Sequence, residues 1–189
     1  MSIPAQPDPA RLVIGILTGR KDLLEPVAGD LTDRFGPVGL VSRWFDFDFT
    51  TYYNAEFGSP LSRRMFGFQN LIGQDQLAGI KQITNEIEKT YTRDGKRAVN
   101  IDPGYLLRER FVLATGKNFA HRIYIGNGIY ADLTLLYYDK AFQSLPWTYP
   151  DYADGAMQSF LTQVRNRYVI DLKNEGSRAQ GAGKPEDCL

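Results

Sequence analysis

Hydrophobic positions recur along this chain with two periods, and each period predicts an element. Leu12-Val-Ile-Gly-Ile-Leu17 is a short continuous apolar run closed by Thr18-Gly19, which reads as a buried first strand. Asp22 is placed to cap the helix that follows, where Leu23, Leu24, Val27, Leu31 and Phe35 fall at helical spacing until Gly36-Pro37 stops it. From Leu40 to Phe49 the pattern alternates, with Val41, Phe45, Phe47 and Phe49 on one face and Ser42, Trp44, Asp46 and Asp48 on the other. The clearest helix spans about Gln74 to Tyr91: Leu77, Ile80, Ile83, Ile87 and Tyr91 form its inward stripe, and Lys81, Thr84, Asn85 and Glu88 lie on an adjoining face.

The second half is richer in strand patterns. Ala98 to Ile101 is a short strand leading into Asp102-Pro-Gly-Tyr105, which has the composition of a tight turn. Arg110 to Thr115, Ala120 to Ile125 and Ile129 to Tyr138 are strand-like, and Asn127-Gly128 is a strong two-residue hairpin signal. That turn pairs Gly126 with Ile129, Ile123 with Asp132 and His121 with Thr134, placing His121, Ile123, Asp132 and Thr134 on one face and giving Arg122 and Tyr124 to the other. A last amphipathic helix runs from Tyr152 or Asp154 to about Leu172. The order of elements predicts a single α+β domain over residues 11–173, an antiparallel or mixed sheet with about three helices packed mainly on one side. Residues 1–10 read as a flexible N-terminal tail and 174–189 as a disordered C-terminal one.

Composition narrows the chemistry. The 189 residues suit one domain, which buries roughly 70% of the surface its unfolded chain exposes. With 22 basic and 22 acidic side chains, overall charge does not suit a grip on duplex DNA. One cysteine, Cys188, and one histidine, His121, exclude an intrachain disulfide and a zinc site of thiolates and imidazoles within one chain. No metal-ligating set and no cofactor motif is legible, and a bound metal would need hard oxygen ligands. The proline-rich start matches neither a signal nor a transit peptide, and the longest apolar block is too short to cross a bilayer, so a cytoplasmic protein is expected.

Polar groups inside strands cost free energy unless they are paired or used, and they crowd between Asn100 and Tyr152. The pattern predicts a polar cleft lined by Lys81, Asn85, Asp102, Lys117, His121 and Arg122, with Arg63 and Arg64 as candidate bidentate clamps for an anion. Asp132 beside His121 would fix its tautomer, making His121 and Asp102 the candidate acid-base pair. Trp147 and Tyr149 are candidates for a lid over the sheet or a platform for a flat ligand. Thr18-Gly19-Arg20-Lys21 follows a strand and precedes a helix, but its glycines fit neither phosphate-binding fingerprint.

Seven phrases in order carry a resemblance: Phe47-Asp-Phe-Thr-Thr-Tyr-Tyr53, Thr84-Asn-Glu-Ile-Glu88, Asn100-Ile-Asp-Pro-Gly-Tyr105, Leu113-Ala-Thr-x-Lys117, His121-Arg-Ile-Tyr124, Gly128-Ile-Tyr130 and Trp147-Thr-Tyr-Pro-Asp-Tyr152. Together they resemble an uncharacterised bacterial family, domain of unknown function 4416, over nearly the whole chain from Leu12 to Leu172. Phe57 stands at a usual Met, Gly116 at a usual Thr and Asp132 at a usual Glu, the last keeping an acid near His121 with a shorter reach. The resemblance implies no established activity. Two functions suit the residues: a cleft that binds a small anionic metabolite or nucleotide, with acid-base chemistry by His121 and Asp102, or a non-catalytic RNA- or protein-binding module using Arg63, Arg64, Arg108, Arg110 and exposed rings. Oligomeric state and cofactor are not legible.

Overall fold

The apolar run around Ile14 lies at the centre of the protein, in a computed structural model that describes residues 1–181. It forms β1 (Ala10–Thr18), in which every residue is buried. Even positions Leu12, Ile14 and Ile16 join one core cluster and Val13 joins another, so β1 is covered on both faces and needs no polar alternation. Helix α1 (Leu24–Phe35) follows, capped at its end by Gly36, and then two short strands, β2 (Val38–Val41) and β3 (Phe45–Phe47), where one longer strand was expected. Asp46 and Asp48 are both exposed.

After the one-turn helix α2 (Asn54–Phe57) comes the longest strand, β4 (Leu61–Ile72), which pairs with β1, β2 and β3. Helix α3 (Leu77–Thr90) buries Leu77, Ile80, Lys81, Thr84, Ile87 and Glu88, a stripe turned away from Ile83, which is exposed. A two-residue hairpin, β5 (Thr92–Arg93) and β6 (Lys96–Arg97), leads into β7 (Val99–Leu106). The expected turn at Asp102-Pro103-Gly104 is instead the middle of that strand.

Strands β8 (Arg110–Thr115), β9 (Arg122–Gly126), β10 (Ile129–Tyr138) and β11 (Ala141–Ser144) complete the sheet. Its order is β11-β10-β8-β7-β1-β4-β2, with β3 also on β4 and β9 also on β10, and all pairs are antiparallel. The one-turn helix α4 (Pro150–Ala153) precedes α5 (Gly155–Gly181), which runs past the expected end near Leu172; the expected tail beyond Gly181 lies outside the described residues.

The fold is α+β with three long helices, but they do not share one side. Val27 and Leu31 of α1 and Ile80 and Ile87 of α3 pack on Leu12, Ile14, Ile16, Phe66 and Phe68. Met157, Phe160, Leu161, Val164 and Tyr168 of α5 pack on the other face, with Val13, Met65, Phe111 and Leu135. Residues 1–9 are exposed and carry no regular structure. No helix among the described residues is long and apolar enough to cross a membrane.

Candidate functional site

A gap in the sheet creates the site. Strands β7 and β8 pair only from Gly104 opposite Leu113 to Leu106 opposite Phe111, so ahead of Gly104 the β8-facing edge of β7 has no ladder. Side chains from α3 take its place: Glu88 Oε1 accepts the Ile101 N–H at 2.7 Å, and Lys81 Nζ donates to the Ile101 carbonyl at 2.7 Å. Pro103, two residues on and therefore facing the same side, brings no N–H that would need a partner. The opening is a cavity of about 800 Å³ lined by α3 from one face of the sheet and by α4 from the other.

Its floor is a network of ions, buried at Arg63, Lys81, Glu88 and Asp151 and partly exposed at Asp102, Arg97 and Glu56. Arg63 of β4 donates through one terminal nitrogen to Asp102 Oδ2 and to the Tyr152 hydroxyl, both at 3.0 Å. Its Nε is 3.0 Å from Asp151 Oδ2, an ion pair whose alignment is too poor for a hydrogen bond. The guanidinium lies over the rings of Phe47 and Tyr152. Gly15 makes room for it, because a Cβ there would meet Met65 Sδ at 2.9 Å and the Arg63 nitrogen at 3.1 Å. Lys81 is 4.0 Å from Asp102 Oδ1 and 3.9 Å from Glu88 Oε1. Arg97 pairs bidentately with Glu56, at 2.7 and 2.9 Å, and reaches Glu88 Oε2 at 2.8 Å and Asn100 Oδ1 at 3.1 Å.

Burial works against the Asp102 carboxylate, but the charges of Arg63 and Lys81 outweigh it and hold its pKa below the ordinary value. Burial dominates at Asp151 and Glu88, whose carboxyls are pushed up despite Arg63 and Lys81 beside them. Burial, with help from the Asp102 charge, raises the Tyr53 hydroxyl to about 12. Two amides remain open. Asn100, only 7% exposed, lies near enough to Asp102 to favour its ionised form, yet its Nδ2 meets no acceptor at hydrogen-bonding geometry. Half-buried Asn85 also lines the cleft, with no hydrogen bond to its side chain among the described residues.

The mouth is built by β8, β9 and β10. The Asn127-Gly128 turn forms as its sequence demands, with positive φ at both residues, but a bulge after Ile129 shifts the register. Tyr130 therefore faces Tyr124, Ala131 faces Ile123, and Asp132 faces Arg122. The one-residue slip moves Arg122 from the expected opposite face onto that of Asp132 and leaves Ile123 and Tyr124 exposed. Arg122 donates to Asp132 Oδ2 at 2.9 Å, the Lys117 carbonyl at 2.9 Å and the Tyr149 hydroxyl at 2.7 Å. Lys117 reaches the Tyr52 hydroxyl at 3.3 Å and lies over that ring; no carboxylate is within ion-pair distance of it among the described residues.

Eight of the residues singled out in the sequence thus line one cavity: Arg63, Lys81, Asn85, Asp102, Lys117, Arg122, Asp132 and Tyr149. His121 stands outside the lining, its Nε2 3.3 Å from Asp132 Oδ2 and its ring stacked on Trp147 at 4.8 Å. Trp147 is also outside, fixed by a 2.7 Å bond from its indole N–H to the Leu133 carbonyl. Arg64 lies over the ring of Trp44, as does Lys21, and is not part of the cavity.

Arg97, Asn100 and Asp151 were not among the candidates, and Glu88 was read only as part of the polar flank of its helix beside Lys81 and Asn85. Glu88, Asn100 and Asp151 stand inside the quoted phrases, which were the available signal, and Arg97 had only its place after a turn. Among the described residues no group of three or more His, Cys, Asp or Glu side chains is arranged to hold a metal ion. Six of the seven phrases contribute lining residues; only Gly128-Ile-Tyr130 does not.

A protein-family model described as Domain of unknown function (DUF4416) matches residues 8–168. No curated protein and no solved structure matches the chain.

Proposed function

Since the chain belongs to the DUF4416 family, whose description names no activity, we propose a function from the cleft itself: a cytoplasmic protein that binds a small anionic metabolite or nucleotide there. The observation that carries this reading is Lys117, a cation of the lining without a carboxylate partner among the described residues, beside an Arg122 whose single acidic partner, Asp132, is shared with His121. At the mouth of the cavity Lys117 and Arg122 face a single carboxylate, Asp132, so an incoming anion meets an excess of positive charge there in a partly desolvated setting.

Binding suits these groups better than acid-base catalysis. Asp102 is held ionised by Arg63 and Lys81, which makes it a weak base. His121 approaches the cavity only through Asp132, as a group that positions Arg122. An RNA-binding role has less support, because Arg63 is buried, Arg64 lies over Trp44, and Arg110 pairs with Glu109.

A thermal-shift screen of inorganic phosphate, sugar phosphates and nucleotides tests the reading. A ligand at a hundred times its Kd stabilises by about 2.7 kcal/mol, a rise of roughly 5–10 °C for a chain of this size. Lys117→Ala is expected to abolish most of the rise without lowering the unliganded Tm. A Tm that no anion moves, or a response that Lys117→Ala retains in full, would overturn the proposal.

A further inference from the structure

The cavity is polarised from mouth to floor. At the mouth, Lys117 and Arg122 face one carboxylate, Asp132. On the floor, three cations, Arg63, Lys81 and Arg97, meet four carboxylates in the network: Asp102, Asp151, Glu88 and Glu56. An anionic group is therefore favoured at the mouth and disfavoured at the floor. What the floor offers instead is hydrogen-bonding capacity. Asp102 Oδ1 is 4.0 Å from Lys81 Nζ, outside hydrogen-bond reach of it, and a carboxylate can only accept. The amides of Asn85 and Asn100 supply donors, and Asn100 Nδ2, buried close to Asp102, meets no acceptor at hydrogen-bonding geometry.

The lining rings beside the hydrogen-bonding floor offer little stacking room, in contrast to Phe49 and Tyr149, which are exposed. Lys117 lies over Tyr52, and Arg63 lies over both Phe47 and Tyr152. Tyr53 is packed edge-on among Phe47, Tyr52 and Phe57. A nucleobase gains from a free ring face, whereas hydroxyl groups need acceptors and amides. Resting on the anion-binding reading above, we propose that the occupant is a phosphorylated polyol of the sugar phosphate class, with its phosphate at Lys117 and Arg122 and its hydroxyls on Asp102, Asn85 and Asn100.

Isothermal titration of ribose 5-phosphate, glucose 6-phosphate, inorganic phosphate and adenosine monophosphate into the full chain and two variants decides it. At least one sugar phosphate is expected to bind tenfold or more tightly than inorganic phosphate and than the nucleotide. Asn85→Ala, which removes a side chain without a partner and so spares the fold, is expected to weaken the sugar phosphate about tenfold and leave inorganic phosphate unchanged. Lys117→Ala is expected to weaken both. Equal affinities for inorganic and sugar phosphates would overturn the orientation while leaving the anion site standing. A nucleotide that binds tightest and ignores Asn85→Ala would replace the polyol by a base. If none of the four binds, the anion-binding reading falls as well.

Discussion

Arg63 shows what a single buried charge demands of its surroundings. A guanidinium taken out of water is tolerable only where carboxylates, hydroxyls and ring faces replace the lost hydration, and here Asp102, Asp151, Tyr152 and Phe47 do so. The arrangement also needs an absence, that of a side chain at Gly15. Gly15→Ala is expected to cost about 1–3 kcal/mol, read by urea denaturation, since Met65 and Arg63 must both give way. Asp102 supplies a second check. Its pKa is lower folded than unfolded, so the stability it contributes is present above about pH 4 and is lost as the pH falls through its folded value. The difference in unfolding free energy between the protein and Asp102→Asn should therefore be greatest at neutral pH and shrink on acidification below about pH 4. Glu88 and Asp151, pushed up by burial and by the Asp102 charge, act in the opposite sense, and this opposing contribution is smaller in Asp102→Asn.

At the scale of elements, the turn at Asn127-Gly128 and the stripe of α3 were legible because local chemistry decides them. Gly128 holds a φ of +74°, so Gly128→Ala is expected to destabilise by about 1 kcal/mol or more, visible as a lowered urea midpoint. Strand β4 was not legible. Arg63 and Arg64 interrupt its apolar pattern, and their justification, a pocket on one side and Trp44 on the other, comes from segments remote in sequence. The continuation of β7 beyond Ile101 was hidden by Asp102-Pro103-Gly104, whose turn-like composition makes sense in a strand only once the missing ladder on that side is known. The bulge in the hairpin was equally invisible, and with it the face of Arg122. The cleft's general location was readable from polar residues placed where polarity is costly; its partners Arg97, Asn100 and Asp151 were not, because pairing across the sheet decides their use.

As a whole molecule, the sheet carries helices on both faces, and β1 contributes to both cores. Neither layer keeps its apolar stripe buried if the sheet opens, so the two should unfold together. The two tryptophans sit at opposite ends of the strand order, Trp44 beside β3 and Trp147 over β10. Fluorescence of Trp44→Phe and Trp147→Phe, each reporting the remaining indole, is expected to trace the same urea transition as far-ultraviolet circular dichroism; separate midpoints would reveal layers that melt independently.

The way α3 saturates Ile101 reaches beyond stability. An exposed strand edge normally invites a foreign polypeptide to zip on through its main chain. Here the amide and the carbonyl that such a guest would need are already spoken for, and the proline two steps along has nothing to give. The breach in the sheet is thus barred to peptides seeking β-augmentation, and what it presents to a solute is side chains alone.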